Sequence, residues 1–321
     1  MRYRRMGRSG LKVSEFSLGG WCVARNTFDD AELSHLLSES LERGVNLIDL
    51  ADIYERGDVE ERFGRLLSDY PRHQLVLSTK SYWPMSQGVN DCGLSRKHIH
   101  ESVHASLRRL KTDYLDLFYC QRFDEETPLT ETVDAIGDLI RQGKILYWGV
   151  CGWTERQVRA VTQLCVRRLI PPPISYSVLY NLIERGAERQ LFQVMSELGL
   201  GAVVWSSLAG GMLARPSVTP PQRSESGETW VSSWHQAYVA HKSAARGDVH
   251  HDERLKRLEE LSQESGLSPA QLSLAWALRK PEVSSVTLEV SSVEQLRENL
   301  EVTQHMINAD VLRDLTDLFK L

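Results

Sequence analysis

The sequence predicts an α/β fold, a parallel sheet closed into a (β/α)₈ barrel. Three observations support this. Short apolar runs alternate with stretches of helical periodicity along most of the chain. Strands separated by helical crossovers have to run parallel. Finally, eight such units fit a 321-residue chain, since the barrel alone takes about 250 residues.

The elements follow in order. Residues 1–14 form a small hairpin, Arg2–Arg5 against Leu11–Val13, turned by Gly7 to Gly10. It is too polar to be central and is expected to cover one end of the fold. Glu15–Trp21 is a strand. Asp29–Arg43 is a helix with Leu33, Leu36, Leu37 and Leu41 on one face and Gly44 as its stop. Strand Leu47–Ala51 and helix Val59–Leu67 come next, then strand Leu75–Lys80. After a linker, helix Ser95–Leu110 stacks Ile99, Val103, Leu107 and Leu110. Strand Leu115–Gln121 precedes a helix with Pro128 at its first position, running to Gln142. Strand Ile145–Val150 leads to a helix opened by the capping box Thr154–Gln157. Strand Ile174–Val178, a helix around Glu188–Leu198 and strand Ala202–Trp205 follow. A second cap, Ser268–Gln271, opens a helix to Arg279; strand Ser284–Leu288 and helix Val293–Met306 close the cycle. Residues 209–251 hold Pro216, Pro220, Pro221 and many serines, and read as a mobile loop over the mouth. Ala309–Leu321 is an amphipathic helix expected to pack outside. No linker divides the chain, so residues 1–321 read as one domain.

The stretch Leu47-Ile-Asp-Leu-Ala-Asp-Ile-Tyr54 carries the first chemical signal. Asp49 and Tyr54 fall at the C-terminal end of a strand, where barrels keep their chemistry. Lys80 closes the neighbouring apolar strand. A buried ammonium is costly unless paired, and Asp49 is the obvious partner. Asp49, Tyr54 and Lys80 are a candidate proton-transfer site. By spacing alone, a structural ion pair beside a rim tyrosine explains them equally well.

Bulk properties narrow the function. Hydrophobic residues make up 41% of the chain and charged residues 25%, with a net charge of −5. That balance suits a soluble globular protein and offers no basic surface for nucleic acid or membrane. No apolar run reaches the roughly 20 residues of a membrane span, and the N-terminus lacks a signal-peptide pattern. The five cysteines are scattered without a CxxC pair, as expected of reduced thiols in the cytoplasm. His250-His251-Asp252-Glu253 sits at a helix start, where acidic residues suit the dipole, and is not read as a metal site. Trp21, Trp83, Trp153 and Trp205 fall just past strand ends. They suggest an aromatic mouth able to clasp a flat or sugar-like substrate, or are bulky filler. Cys120 and Cys151 are placed as neighbours across the mouth and read as small fillers, not nucleophiles.

Several blocks in order resemble the aldo-keto reductase superfamily: Tyr3–Ser14, the Asp49–Tyr54 strand, Ser78-Thr-Lys80, Gly93–Ile99, Leu110–Asp116, Tyr147-Trp-Gly149 and Ser291–Leu300. The chain looks most similar to the branch holding potassium-channel β subunits and bacterial sugar-ketone or enoyl reductases. The resemblance implies an NADPH-dependent reductase acting on a small molecule, with hydride passing to a carbonyl carbon while Tyr54 protonates the oxygen. An ordinary tyrosine has a pKa near 10, and Lys80 against Asp49 is expected to lower it. The family's usual histidine after the fourth strand is Gln121, an amide that donates a hydrogen bond but does not titrate. The branch also contains channel subunits that form tetramers, which leaves a homo-oligomer open.

The resemblance assigns the cofactor to Trp21, Cys151, Ser177, Tyr180, Trp205, Ser206, Leu208, Ser291, Gln295, Glu298 and Asn299. Tyr180 is expected to stack on the nicotinamide, Trp205–Gly210 to embrace the pyrophosphate, and Ser291 and Gln295 to meet the 2′-phosphate. Helix N-termini favour such phosphates. The chain departs from the family at Cys151-Gly152 (usually Ser-Asn), at Ser177 (usually glutamine) and at Glu289 (usually glycine, close to the phosphates). A carboxylate there repels a phosphate. Two readings therefore stand: an NADPH reductase with a divergent cofactor site, or a redox-neutral enzyme (dehydratase, isomerase or cyclase) or binding subunit on the same barrel.

Overall fold

Strand parity decides what this molecule turns inward. Alternate residues of a strand face opposite sides, so in a closed barrel one set fills the interior and the other meets the helices. The computed structural model describes residues 1–24, 28–214, 249–305 and 307–320. The expected mouth loop at 209–251 falls mostly on 215–248, outside the described residues.

Ten strands are described: β1 (Tyr3–Arg5), β2 (Lys12–Ser14), β3 (Phe16–Gly19), β4 (Leu47–Asp49), β5 (Val76–Ser81), β6 (Leu115–Cys120), β7 (Ile145–Cys151), β8 (Ser175–Leu179), β9 (Gly201–Trp205) and β10 (Val283–Leu288). β1 and β2 pair antiparallel as the predicted hairpin. The other eight close a parallel barrel in the order β10-β3-β4-β5-β6-β7-β8-β9, which is the predicted (β/α)₈ architecture. The described helices are α1 (Trp21–Ala24), α2 (Asp30–Glu42), α3 (Asp58–Leu67), α4 (Arg96–Arg109), α5 (Leu129–Arg141), α6 (Glu155–Arg168), α7 (Leu191–Leu198), α8 (Val249–Ser265), α9 (Pro269–Leu278), α10 (Val293–Glu301) and α11 (Ala309–Leu318).

Boundaries shift where local chemistry outweighs pattern. Trp21 opens α1 instead of ending a strand. Pro128 is the N-cap of α5 and not its first residue. The boxes at Thr154 and Ser268 form as predicted. At α10, Ser292 caps the helix, but Gln295 reaches one residue further back, accepting from the N–H of Ser291 at 2.9 Å. The tail helix α11 packs outside, Trp276 Nε1 donating to Thr316 Oγ1 at 2.9 Å.

The hairpin covers the end where the strands begin. Met6 and Val13 pack on Leu47, Val76, Leu117, Tyr119 and Val203, the lower interior layer. Arg4 Nη1 donates to Val283 O at 2.9 Å, and Arg8 N to Gly199 O at 2.9 Å. With that end plugged, the interior opens at the strand C-termini.

Strand β5 is also pinned from outside. Thr79, beside Lys80 but facing outward, donates to Glu60 Oε1 of α3 at 2.6 Å. Glu60 also takes Arg109 Nε of α4 at 2.6 Å and Ser106 Oγ at 3.2 Å. A fully buried carboxylate is tolerated because it is paired and hydrogen-bonded.

Candidate functional site

Parity carries one ring of side chains to the mouth. Leu47 and Val76 face inward, so Asp49, Ser78 and Lys80 do too. Leu117 and Tyr119 place Gln121 on the same face. Tyr119 hydrogen-bonds Ser175 at 2.7 Å across the interior, so Ser177 points inward; Val203 does the same for Trp205.

Lys80 Nζ donates to Asp49 Oδ2 at 2.7 Å and to Leu50 O at 2.7 Å. Ser78 Oγ donates to Asp49 Oδ1 at 2.6 Å. Both charged side chains are buried. The pairing expected from sequence is therefore present, and Ser78 is a partner the sequence reading missed. Its signal was available: it lies two residues before Lys80 and in register with Asp49. Two of the three ammonium N–H bonds are committed to protein, leaving one for a ligand or water.

Tyr54 follows β4 on a tight turn in which Glu55 and Arg56 both hold left-handed φ, 44° and 52°. Non-glycine residues rarely adopt that region, and such strain gathers at functional sites. The Tyr54 ring meets Trp21 edge-on, centroids 5.2 Å apart. The expected direction of its pKa is reversed. Burial pushes the phenol well above its ordinary value, and the Glu289 and Asp49 carboxylates push it further. Lys80 spends its charge on Asp49, so its pull on the phenol is outweighed.

Glu289 is the residue that changes the site most. It follows β10 and turns inward, its Oε2 accepting the Cys22 N–H at 2.8 Å. Gly19 makes room for it: a Cβ there would come within 2.0 Å of Glu289 Oε1. The Glu289 side chain is exposed within the open mouth, although the surrounding protein walls crowd its carboxyl. Burial raises its pKa to about 7, Asp49 adding to the rise and Lys80 and the Cys22 amide opposing it.

The opposite wall differs from expectation. Cys151 faces the mouth, while Cys120 faces the helices beside Cys165, so the two are not neighbours. Gly152 has φ +69°, and a Cβ there would meet Arg122 Nη1 at 1.9 Å. The guanidinium thus crosses the space a larger residue 152 would fill. Arg122 also lies over Trp83, 5.6 Å from the ring centroid. Sequence reasoning missed Arg122, although it directly follows Gln121 at a strand end. Of the four strand-end tryptophans, Trp21, Trp83 and Trp205 keep accessible surface, whereas Trp153 is buried against Phe123 as filler.

Tyr180 does not reach the mouth. Three residues beyond inward-facing Ser177, it is buried, stacked on Trp276 at 5.0 Å, with its hydroxyl held by Glu188 and by Arg279 Nη1 at 2.8 Å. It belongs to the outer core. Trp205, Ser206 and Leu208 remain partly accessible on the loop after β9. Asn181, another residue not foreseen, fixes that loop by donating to Ser206 O at 2.8 Å. Ser291 and Glu298 are exposed, Gln295 half-buried and Asn299 buried at the start of α10 and along it.

A dinucleotide would run from this wall to α10, and the polar inventory fits it. Among the described residues, Gln121 Oε1 and Ser177 Oγ are buried atoms without a hydrogen-bond partner, the kind of groups an amide-bearing ligand satisfies. Ser291 and Gln295 stand at a helix N-terminus suited to a phosphate. Glu289 is opposed to it. Among the described residues no three His, Cys, Asp or Glu side chains converge as a metal site; His250 and His251 have side chains outside the described set. No described helix is long and apolar enough to cross a membrane.

The fold and site together are a plugged parallel barrel with a buried lysine–aspartate pair and a tyrosine at its open end. The sequence model of the Aldo/keto reductase family matches residues 15–320, and the chain belongs to that family. It is 36% identical over 310 residues to a rice protein, "Probable voltage-gated potassium channel subunit beta". The match covers 94% of this chain and 90% of the relative. An Arabidopsis thaliana protein of the same description is 34% identical over 306 residues, with the same coverage. Family membership supports an oxidoreductase of the aldo-keto reductase type.

Proposed function

We propose that this protein is an NADPH-dependent reductase of a carbonyl, or of a conjugated double bond, on a sugar-like or secondary-metabolite substrate. The observation that carries the reading is the buried Lys80–Asp49–Ser78 cluster at the mouth, whose Asp49 is near enough to act on Tyr54. Trp21, Cys151, Ser177, Trp205, Ser206, Leu208, Ser291, Gln295, Glu298 and Asn299 would hold the cofactor, which supplies the hydride when bound. Tyr54 is the proton donor. The phenol is protonated at neutral pH and so carries the proton to be given, while its raised pKa opposes release and has to be offset when the oxygen turns anionic. Lys80, fixed by Asp49 and Leu50 O, would offer its remaining N–H to the oxygen that loses the proton. Gln121 donates a hydrogen bond to the substrate oxygen.

Titration with NADPH, followed by fluorescence quenching, tests the reading together with Tyr54→Phe. Micromolar binding to both proteins, with turnover lowered about 10²–10⁴-fold in the variant, is expected. Absence of binding at millimolar NADPH refutes it. A second reading is favoured by Glu289 alone: a carboxyl with a pKa of about 7 near the tyrosine suits redox-neutral acid–base chemistry. Turnover that needs Tyr54 but no NADPH distinguishes it.

A further inference from the structure

We infer that α4 carries a site for a divalent transition cation of the Zn²⁺ or Ni²⁺ type, held by His100 and His104 with water completing the coordination. The site lies in the helical ring and is independent of the reductase reading.

The segment His100-Glu101-Ser102-Val103-His104 sets two imidazoles four residues apart within α4, on one face of the helix. Helices present paired histidines to zinc at this spacing. The two rings stack with centroids 6.2 Å apart and planes 29° from parallel. An ion bonded to a ring nitrogen at about 2.0–2.1 Å stands roughly 3 Å from the ring centre, so one ion spans centroids up to roughly 6 Å apart. The observed separation is at the edge of that span. Small torsional changes in two half-buried side chains bring both nitrogens onto one ion.

The ring nitrogens are in the state a metal requires. His104 Nδ1 donates to His100 O at 2.7 Å, since a carbonyl only accepts. The proton is thereby fixed on Nδ1, and in the neutral ring the Nε2 lone pair is left for a ligand bond. Metal-bound histidines are oriented by the same kind of contact. His100 Nε2 is sheltered from solvent and has no hydrogen-bond partner among the described residues, an orphan that a metal bond satisfies. Burial lowers the His100 pKa, and Arg96 and His104 lower it further, so the ring is neutral at pH 7. Arg96 opposes a cation, but its guanidinium is held by Asp138 of α5, whose carboxylate also acts on His100. Glu101 lies between the histidines in sequence, yet its carboxylate pairs with Lys97. It is therefore neither a ligand nor a general base, and the site is one for binding, not hydrolysis.

An ion there fastens one turn of α4, the helix whose Ser102 and Arg109 hold the buried Asp52 and Glu60 carboxylates. Occupancy should therefore raise the thermal midpoint of the folded chain.

Calorimetry with NiCl₂ tests this on the parent, on His100→Ala, on His104→Ala, and on a control in which His250 and His251 are both replaced by alanine. A binding step is expected that the control keeps and that each single variant weakens about ten- to a hundredfold, because a chelate becomes a lone imidazole. Ni²⁺ should raise the thermal midpoint of the parent and the control, and the single variants should lose that gain. MgCl₂ should give no binding step, since Mg²⁺ takes oxygen ligands. Imidazole NMR of the parent covers a variant that fails to fold: paramagnetic Ni²⁺ should broaden the His100 and His104 signals before those of other histidines. No binding at millimolar Ni²⁺, parental affinity in the single variants, or broadening led by another histidine overturns the site.

Discussion

Glu289 Oε2 lies 2.8 Å from the backbone nitrogen of Cys22, so the last strand of the barrel lays a carboxylate across the turn that follows the first. This carboxylate is the main obstacle to an anionic cofactor. It carries charge above its pKa of about 7 and is neutral below.

Nucleotide affinity should therefore weaken as pH rises through about 7 in the parent. Glu289→Gln should bind NADPH more tightly, with the gap between variant and parent opening over that window. A like charge at about 4 Å costs about 1 kcal/mol in water, or about fivefold in affinity. Fluorescence titrations from pH 6 to 8 check this; parallel curves for the two proteins would show that Glu289 does not face the ligand.

Breaking the buried pair at one end should cost much more than removing it whole. Lys80→Met strands Asp49 and is expected to destabilise the fold by about 3–5 kcal/mol. Asp49→Leu should be similarly costly, while the double variant recovers a large part. Urea denaturation of the four proteins measures that non-additivity. Additive losses would mean that the two groups do not depend on each other.

Asp52 supplies a separate pH signature. It is fully buried; burial, then Glu60, raises its pKa from 3.8 to about 7, while Ser102 donates to it at 2.7 Å. The folded chain thus holds a proton that the unfolded chain releases between about pH 4 and 7, so this group's contribution to stability falls as pH rises through that window. Asp52→Asn should gain on the parent across the same window, by on the order of a few kcal/mol, and level off above it. Denaturation midpoints at pH 4, 5.5, 7 and 8.5 would reveal a flat difference if Asp52 were ionised throughout.

Tyr180→Phe removes a hydroxyl held by Glu188 and Arg279. A stability loss of about 1–3 kcal/mol is expected, with NADPH affinity unchanged. A large drop in affinity with normal stability would return Tyr180 to the cofactor wall.

The barrel and the Lys80–Asp49 pair were legible because both are local. Strands and helices alternate in plain sight, and Asp49 and Lys80 end adjacent strands. Tyr180 was misplaced because family analogy overrode strand parity: three residues from Ser177, it could not share that face along a strand. The direction of the Tyr54 shift was hidden for another reason. It comes first from burial of the ring and then from Glu289, which only closure of β10 against β3 brings near. Arg122 was missed because its position is set by the absence of a side chain at Gly152, on the next strand. Glu60 and Arg109 meet between helices, where surface periodicity gives no warning of a buried charge.

The Tyr3–Ser14 hairpin also settles where the molecule can be held. Tyr3 hydroxyl bonds Gly44 O at 2.9 Å, and Arg4 ties to Val283, both beneath the strand starts. A purification tag, fluorophore or bead tethered at Met1 would hang from this sealed base. Anchored that way, the protein would turn its doorway to bulk solvent, so surface-immobilised assays should preserve ligand access.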